Sequence, residues 1–266
     1  MGILDQFDVT GQCVVITGAG TGLGKQMALH LAESGADIVG VGRRAEPIEA
    51  LGEEIRAKGR RYLGIPGCDV TDSAQVNEMA AKATKEMGHV TGLINSAGLG
   101  GTGRGKTFPE LTDEDWHSGI DSNLTSAFYS ARALVPHFLE HGGGTIINIT
   151  SGWGFRAGRD NFMYAVGKGG VIQLARVLAM TYARENIRAV CIAPGLFPHT
   201  EDQGVLAGLG QKQPAGRIGF PREIGPLAVF LVSPAASYMS GETVLIDGGA
   251  IAAGLTPAGV IPRAEG

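Results

Sequence analysis

The chain has 266 residues with 22 basic and 26 acidic side chains, a slightly acidic balance that gives a nucleic-acid role no electrostatic support. Forty-three residues are glycine, over twice the usual share of about 7%, but with only 12 prolines and no Gly-X-Y period collagen is excluded. Hydrophobic residues at 44% and charged residues at 18% exclude a disordered chain, because there is ample apolar surface to bury. The opening MGILDQFDVT is acidic where a secretory leader would be basic, and Gln6 breaks the myristoylation pattern. Cys13, Cys68 and Cys191 lie far apart, in or beside apolar runs. They read as reduced, buried small hydrophobes, which points to a cytoplasmic protein.

Short β-branched runs alternate with helical patterns along the whole chain. The first strand is predicted at 13–17. It leads through Thr17-Gly18-Ala19-Gly20-Thr21-Gly22-Leu23-Gly24 into a helix at 23–34. Glycines in such a turn let backbone approach a phosphate, and the helix N-terminus offers unpaired N–H groups to the anion. The second strand, 37–41, is followed by Gly42, Arg43 and Arg44. A dinucleotide site that uses NAD places a carboxylate there for the ribose 2′-OH. Two guanidinium groups in its place suit a 2′-phosphate, so NADP is expected; the bland alternative is a solvated approach to the helix at 46–58.

A third strand (61–65), a helix (73–87) and a fourth strand (92–96) follow, with caps expected at Thr71-Asp72-Ser73 and Thr112-Asp113. Gly100, Gly101, Gly103 and Gly105 read as a long β–α loop. A helix is expected across 113–140, carrying Asn123 and ending at His137-Phe138-Leu139-Glu140-His141. That last run matches a zinc-peptidase motif, but it also suits a helix C-terminus stopped by three glycines, and no metal site is expected. The fifth strand (145–150) delivers Ser151. Tyr164 and Lys168 stand four apart on one face of a helix at 161–185. An ammonium beside a phenol favours phenolate, so the pair could pass a hydroxyl proton. Strands at 187–193 and 243–246 flank a helix at 221–232. The uncharged stretch from Ile224 to Gly241 holds Pro226, Pro234 and several serines, and makes a poor membrane span. Consecutive rather than alternating apolar residues imply strands covered on both faces. The fold expected is a single α/β domain over 1–266, a doubly wound parallel sheet with ligands at the C-terminal ends of its strands.

From about residue 10 to 250, these features resemble the short-chain dehydrogenase/reductase family. The resemblance implies a Rossmann-type sheet of about seven strands with helices on both faces, and a nicotinamide cofactor. It implies cofactor contacts from Gly18, Thr21, Gly22, Leu23 and Gly24, from Arg43 and Arg44, and from Asp69 and Val70 beside the adenine. Asn95, Ala97 and Gly98 would lie along the cofactor, with Ser96 in place of the family's second Asn. Pro194, Gly195 and Phe197 would form the turn over the nicotinamide, and Tyr164 and Lys168 would also contact the cofactor. Asn123, Ser151, Tyr164 and Lys168 match the family's catalytic tetrad; Gly167 stands where many relatives carry Ser. The substrate would meet Ser151, Trp153, Arg156, Tyr164 and His199, residues that in part suit loop or subunit contacts equally well. Thr200 falls one position late for the family's threonine, and Glu201 to Gly216 would form a lid. The C-terminal region implies a homodimer or homotetramer, with 250–266 as an extension. The activity implied is NADP-dependent interconversion of a secondary alcohol and its ketone, on a small polar polyol, sugar or sugar acid. A 3-oxoacyl carrier-protein reductase-like enzyme and a catalytically silent NADP-binding regulatory protein are the alternatives.

Overall fold

The structure is a computed structural model that describes residues 2–98, 103, 105–199 and 207–252. Seven strands form one parallel sheet: β1 (Cys13–Thr17), β2 (Asp37–Gly42), β3 (Tyr62–Pro66), β4 (Gly92–Asn95), β5 (Gly144–Ile149), β6 (Ile187–Pro194) and β7 (Thr243–Ile246). Their order is β3-β2-β1-β4-β5-β6-β7. The chain reverses direction of travel between β1 and β4, which opens a crevice at the C-terminal strand ends. The expected strands are all present, each within about a residue of its predicted bounds.

All five residues of β1 are buried, and they point alternately into two cores. Cys13 and Val15 join Val76, Met79, Leu134, Phe138 and Val171 on one face. Val14 and Ile16 join Met27, Leu31, Leu51, Ile55 and Leu231 on the other. Two apolar layers explain why the strand sequence is continuously hydrophobic. Each such side chain contributes roughly 1.5–3 kcal/mol on burial. The first face is covered by α3 (Ser73–Met87), α5 (Ser126–Glu140) and α6 (Phe162–Tyr182); the second by α1 (Gly22–Glu33), α2 (Ala45–Ala57) and α8 (Ile224–Val232). A short α4 (Asp113–Ile120) precedes α5, and a single turn, α7 (Ala207–Gly210), precedes α8.

Both expected caps form. The Asp72 side chain accepts from the Ala74 and Gln75 amides, and Thr112 accepts from Asp115 in a capping box. The three cysteines are free and buried. His137 Nε2 accepts from the Val90 amide at 3.2 Å, and its ring stacks on His141 with centroids 3.9 Å apart. Among the described residues no helix is long and apolar enough to cross a membrane.

The helix expected across 113–140 is interrupted. Residues Asp121–Thr125 form a π-helical turn between α4 and α5. A wider turn leaves carbonyls without their usual partners, and side chains take them up. Asn123 Nδ2 donates to the Gly119 carbonyl at 2.9 Å, and Ser126 Oγ to that of Ser122 at 3.1 Å. Hydrophobic periodicity carries no mark of the extra residue.

Candidate active site

A groove of about 1000 Å³ runs over the C-terminal strand ends. It begins at β2, where Gly42, Arg43 and Arg44 line it. Both arginines are exposed and form no ion pair among the described residues. Next comes the β1–α1 loop. The Gly18 amide donates to the Val41 carbonyl at 2.9 Å, and Thr17 Oγ1 accepts from the amides of Ser96 and Ala97 at 3.2 Å each. The loop thus rests against the end of β4: a Cβ on Gly18 would lie 2.9 Å from the Ala97 nitrogen, and one on Gly24 would run into the Gly18 carbonyl. Thr21, the N-cap of α1, makes no side-chain cap bond, so the first-turn amides keep their capacity for an anion. Asp69 and Val70 line the same end, where the Asp69 carboxylate accepts from the Thr71 amide and hydroxyl at 3.0 and 2.8 Å.

At the other end β5 and α6 bring Ser151, Tyr164 and Lys168 together with Asn123 of the π turn. Thr150 Oγ1 donates to the Lys168 carbonyl at 2.7 Å, pinning α6 to the end of β5. Close approach of α6 to the π turn requires a missing side chain, since a Cβ on Gly167 would lie 2.9 Å from Asn123 Cβ. Lys168 is only 6% exposed, and its ammonium donates to the Ile149 carbonyl at 2.9 Å. Burial pulls its pKa down from 10.5 to about 8. Lys168 Nζ lies 5.6 Å from the centre of the Tyr164 ring.

The phenol differs from expectation. Burial holds the Tyr164 pKa above its usual value, and the hydrogen bond with Ser151 only partly offsets this. The ammonium expected to lower it is turned toward Ile149 instead. Asn123 Oδ1 is buried and has no hydrogen-bond partner. A Cβ on Gly98 would lie 3.2 Å from Asn123 Oδ1 and 3.3 Å from Lys168 Nζ. An unpaired acceptor and a buried ammonium therefore face one small space, which glycine alone leaves open.

Gly18, Thr21, Gly22, Leu23, Gly24, Arg43, Arg44, Asp69, Val70, Ala97, Gly98, Pro194, Gly195 and Phe197 all line the groove. Asn95 does not: its amide turns into the sheet and donates to Asn148 Oδ1 at 2.8 Å. Trp153 and Arg156 also lie off the lining; an added Cβ on Gly158 would touch the Trp153 ring 2.6 Å away, so that ring packs on its own loop. His199 lies in the groove, but against Gly22 of the glycine loop. Ser118, Asp121 and Ser122 line the groove unforeseen; their only signal was their place in the helical pattern that carries Asn123. Gly100, Gly101, Thr200 and residues 201–206 and 253–266 lie outside the described residues.

A glycine turn aimed at a helix N-terminus, with a Ser-Tyr-Lys-Asn cluster at the far end of the same groove, suits a dinucleotide-dependent oxidoreductase. The sequence profile of the short chain dehydrogenases matches residues 12–206. The 2-dehydro-3-deoxy-D-gluconate 5-dehydrogenase of Escherichia coli is 37% identical over 94% of this chain and 99% of its own. The 5-keto-D-gluconate 5-reductase of the same organism is 32% identical, over 94% of this chain and 99% of its own. Among solved structures, a gluconate 5-dehydrogenase from Burkholderia cenocepacia in complex with NADP and tartrate superposes with a TM-score of 0.86. It is 32% identical, covering 94% of this chain and 99% of that one. The chain belongs to the short-chain dehydrogenase/reductase family. It is an oxidoreductase acting on CH–OH groups with a nicotinamide dinucleotide.

Proposed function

We propose that the protein is an NADP-dependent dehydrogenase/reductase that interconverts a secondary alcohol and its ketone on a small polyol, sugar or sugar acid. The observation that carries this reading is the joint occupancy of one groove. Arg43 and Arg44 stand at one end, and Ser151, Tyr164, Lys168 and Asn123 at the other. The residues present fit the cofactor. The glycine loop leaves space that side chains would fill, the α1 N-terminus faces the groove, and the exposed guanidinium groups suit a 2′-phosphate. Gly42 presents no carboxylate to repel that phosphate. When bound, the cofactor supplies or accepts the hydride.

In reduction, the Tyr164 hydroxyl gives its proton to the substrate oxygen, and in oxidation it takes one back. Its elevated pKa keeps the proton in place until charge develops on that oxygen. Ser151 donates a hydrogen bond to the same oxygen, stabilising the developing charge. Lys168 lies 5.6 Å from the centre of the Tyr164 ring, with its ammonium held by the Ile149 carbonyl. Asn123 Oδ1 accepts from a water in the space beside Gly98, through which the proton lost by Tyr164 is replaced by way of Lys168. The sugar-acid class draws support from the relatives' own substrates, since gluconate derivatives name all three.

The test is a panel of sugar acids, polyols and acyl thioesters assayed with NADPH and NADH, or with their oxidised forms. Turnover of a keto sugar acid or polyol with NADPH is expected. Turnover confined to 3-oxoacyl thioesters would replace the substrate class. Tight cofactor binding without turnover on any of them would favour a regulatory protein.

A further inference from the structure

Three of the chain's six histidines meet at the N-terminal ends of the strands, the edge of the sheet opposite the groove. There α5 ends beside the turn that leads from α3 into β4. His137 and His141 stand four apart on α5 and share a face, and their rings stack with centroids 3.9 Å apart. His89, in the turn, brings its ring to 6.0 Å from that of His141. The two stacked rings bond differently. His141 Nδ1 donates to the His137 carbonyl at 2.8 Å, a bond that a charged imidazolium makes equally well at a helix C-terminus. His137 Nε2 accepts from the Val90 amide at 3.2 Å. Only a neutral ring can do that, and only with its proton on Nδ1.

We propose that His137 is an acid-sensitive latch between α5 and β4: neutral, it holds the Val90 amide; protonated, it turns an N–H toward an N–H and lets the end of α5 go. The latch is independent of the reaction assigned to the groove. Val90 is fully buried, and its amide has no other partner among the described residues, so releasing it requires the backbone to open toward water. Burial holds the His137 pKa below its ordinary 6.5, and the charges that His141 and His89 carry in acid push the same way; Glu140 acts against them. The last turn of α3, which packs on α5, carries Lys85 and Glu86, and Arg61 donates to the Glu86 and Met87 carbonyls. None of these three changes charge between pH 5 and 8. Charging His137 costs more in the folded chain than in the unfolded one, so acid drives the proton onto the unfolded chain. The stability that the latch contributes is complete above about pH 6.5 and is lost as pH falls from there through the lower, folded value.

The experiment is urea unfolding of the whole chain from pH 8 to pH 5, in the parent and in His137→Gln. The glutamine oxygen stands as many bonds from the backbone as Nε2, accepts from an amide and does not titrate. Across that range the parent's unfolding constant should rise about tenfold relative to that of His137→Gln, the scale of one buried amide left without its acceptor. The other five histidines are common to both proteins. Parallel curves would overturn the latch. Amide exchange on the parent alone gives a second reading. Corrected for the intrinsic rate at each pH, protection of the Val90 amide should fall about tenfold between pH 8 and pH 5. That of Thr91, bonded to the Cys13 carbonyl at 2.9 Å, should hold. Equal protection of Val90 at both ends of the range would overturn the proposal whether or not the variant folds.

Discussion

At the β2 end of the groove the charges face water, whereas at the β5 end they are buried. Arg43 and Arg44 are exposed, while Lys168 and Ser151 are 6% and 8% exposed and Asn123 is 2%. Exposed guanidinium groups keep their hydration and cost the fold little; in the proposed function they would select a ligand by charge. A buried ammonium costs the fold stability, and that of Lys168 is held by the Ile149 carbonyl. On the proposed reading, one end of the groove would discriminate between cofactors and the other would move protons. Substitutions at the two ends should separate cleanly into effects on binding and effects on turnover.

The largest separation is expected at Tyr164. Tyr164→Phe should lower turnover by about 100-fold or more and leave the NADPH dissociation constant within about twofold. Retention of more than about a tenth of the rate would remove Tyr164 from its role. Lys168 gives the next test, on stability. Its pKa falls from 10.5 unfolded to about 8 folded, so between those values the unfolded chain holds a proton that the folded chain has released. Stability therefore rises with pH through that window, and the cost of burying the charge is fully present below about pH 8. Lys168→Met should be more stable than the parent by about 3 kcal/mol below that pH, with the difference shrinking toward pH 10.5 in urea unfolding. A difference independent of pH would mean that the ammonium is not desolvated.

At the opposite end, Arg43→Ala combined with Arg44→Ala should weaken NADPH by about tenfold or more, leaving NADH binding and stability unchanged. Gly42→Asp should move preference the same way. An added Cβ there would meet Ile48 Cδ1, the end of a flexible side chain, at 3.1 Å. Equal losses for both dinucleotides would blur the division between the two ends. The smallest effect is expected from Gly98→Ala, which fills the space shared by Asn123 Oδ1 and Lys168 Nζ. It should lower turnover several-fold, about 1 kcal/mol in the barrier, without shifting the NADPH to NADH ratio.

The strands were legible because doubly covered strands need consecutive apolar, β-branched residues, as in Cys13–Thr17. The glycine loop, Ser151, Tyr164 and Lys168 were legible because fixed spacings deliver them to one sheet edge. What escaped was whatever depends on backbone course between elements. The π turn at Asp121–Thr125 adds a residue that periodicity cannot register, and with it Asp121 and Ser122 enter the groove. Asn95 follows the pleat of β4 inward to Asn148 rather than out to the groove. Trp153 folds back on Gly158, and His199 travels over two strands to reach Gly22; neither path is written in local sequence.

The three buried thiols have a consequence for placing a label on this protein. Burial pushes Cys13 and Cys191 up to about 12 and Cys68 to about 11, so none presents a thiolate at neutral pH. The native chain should be inert to maleimides and iodoacetamide while folded. A single cysteine placed on an exposed surface, such as Lys82→Cys on α3, would then be the one thiol that accepts a fluorophore, and no native cysteine need be removed first.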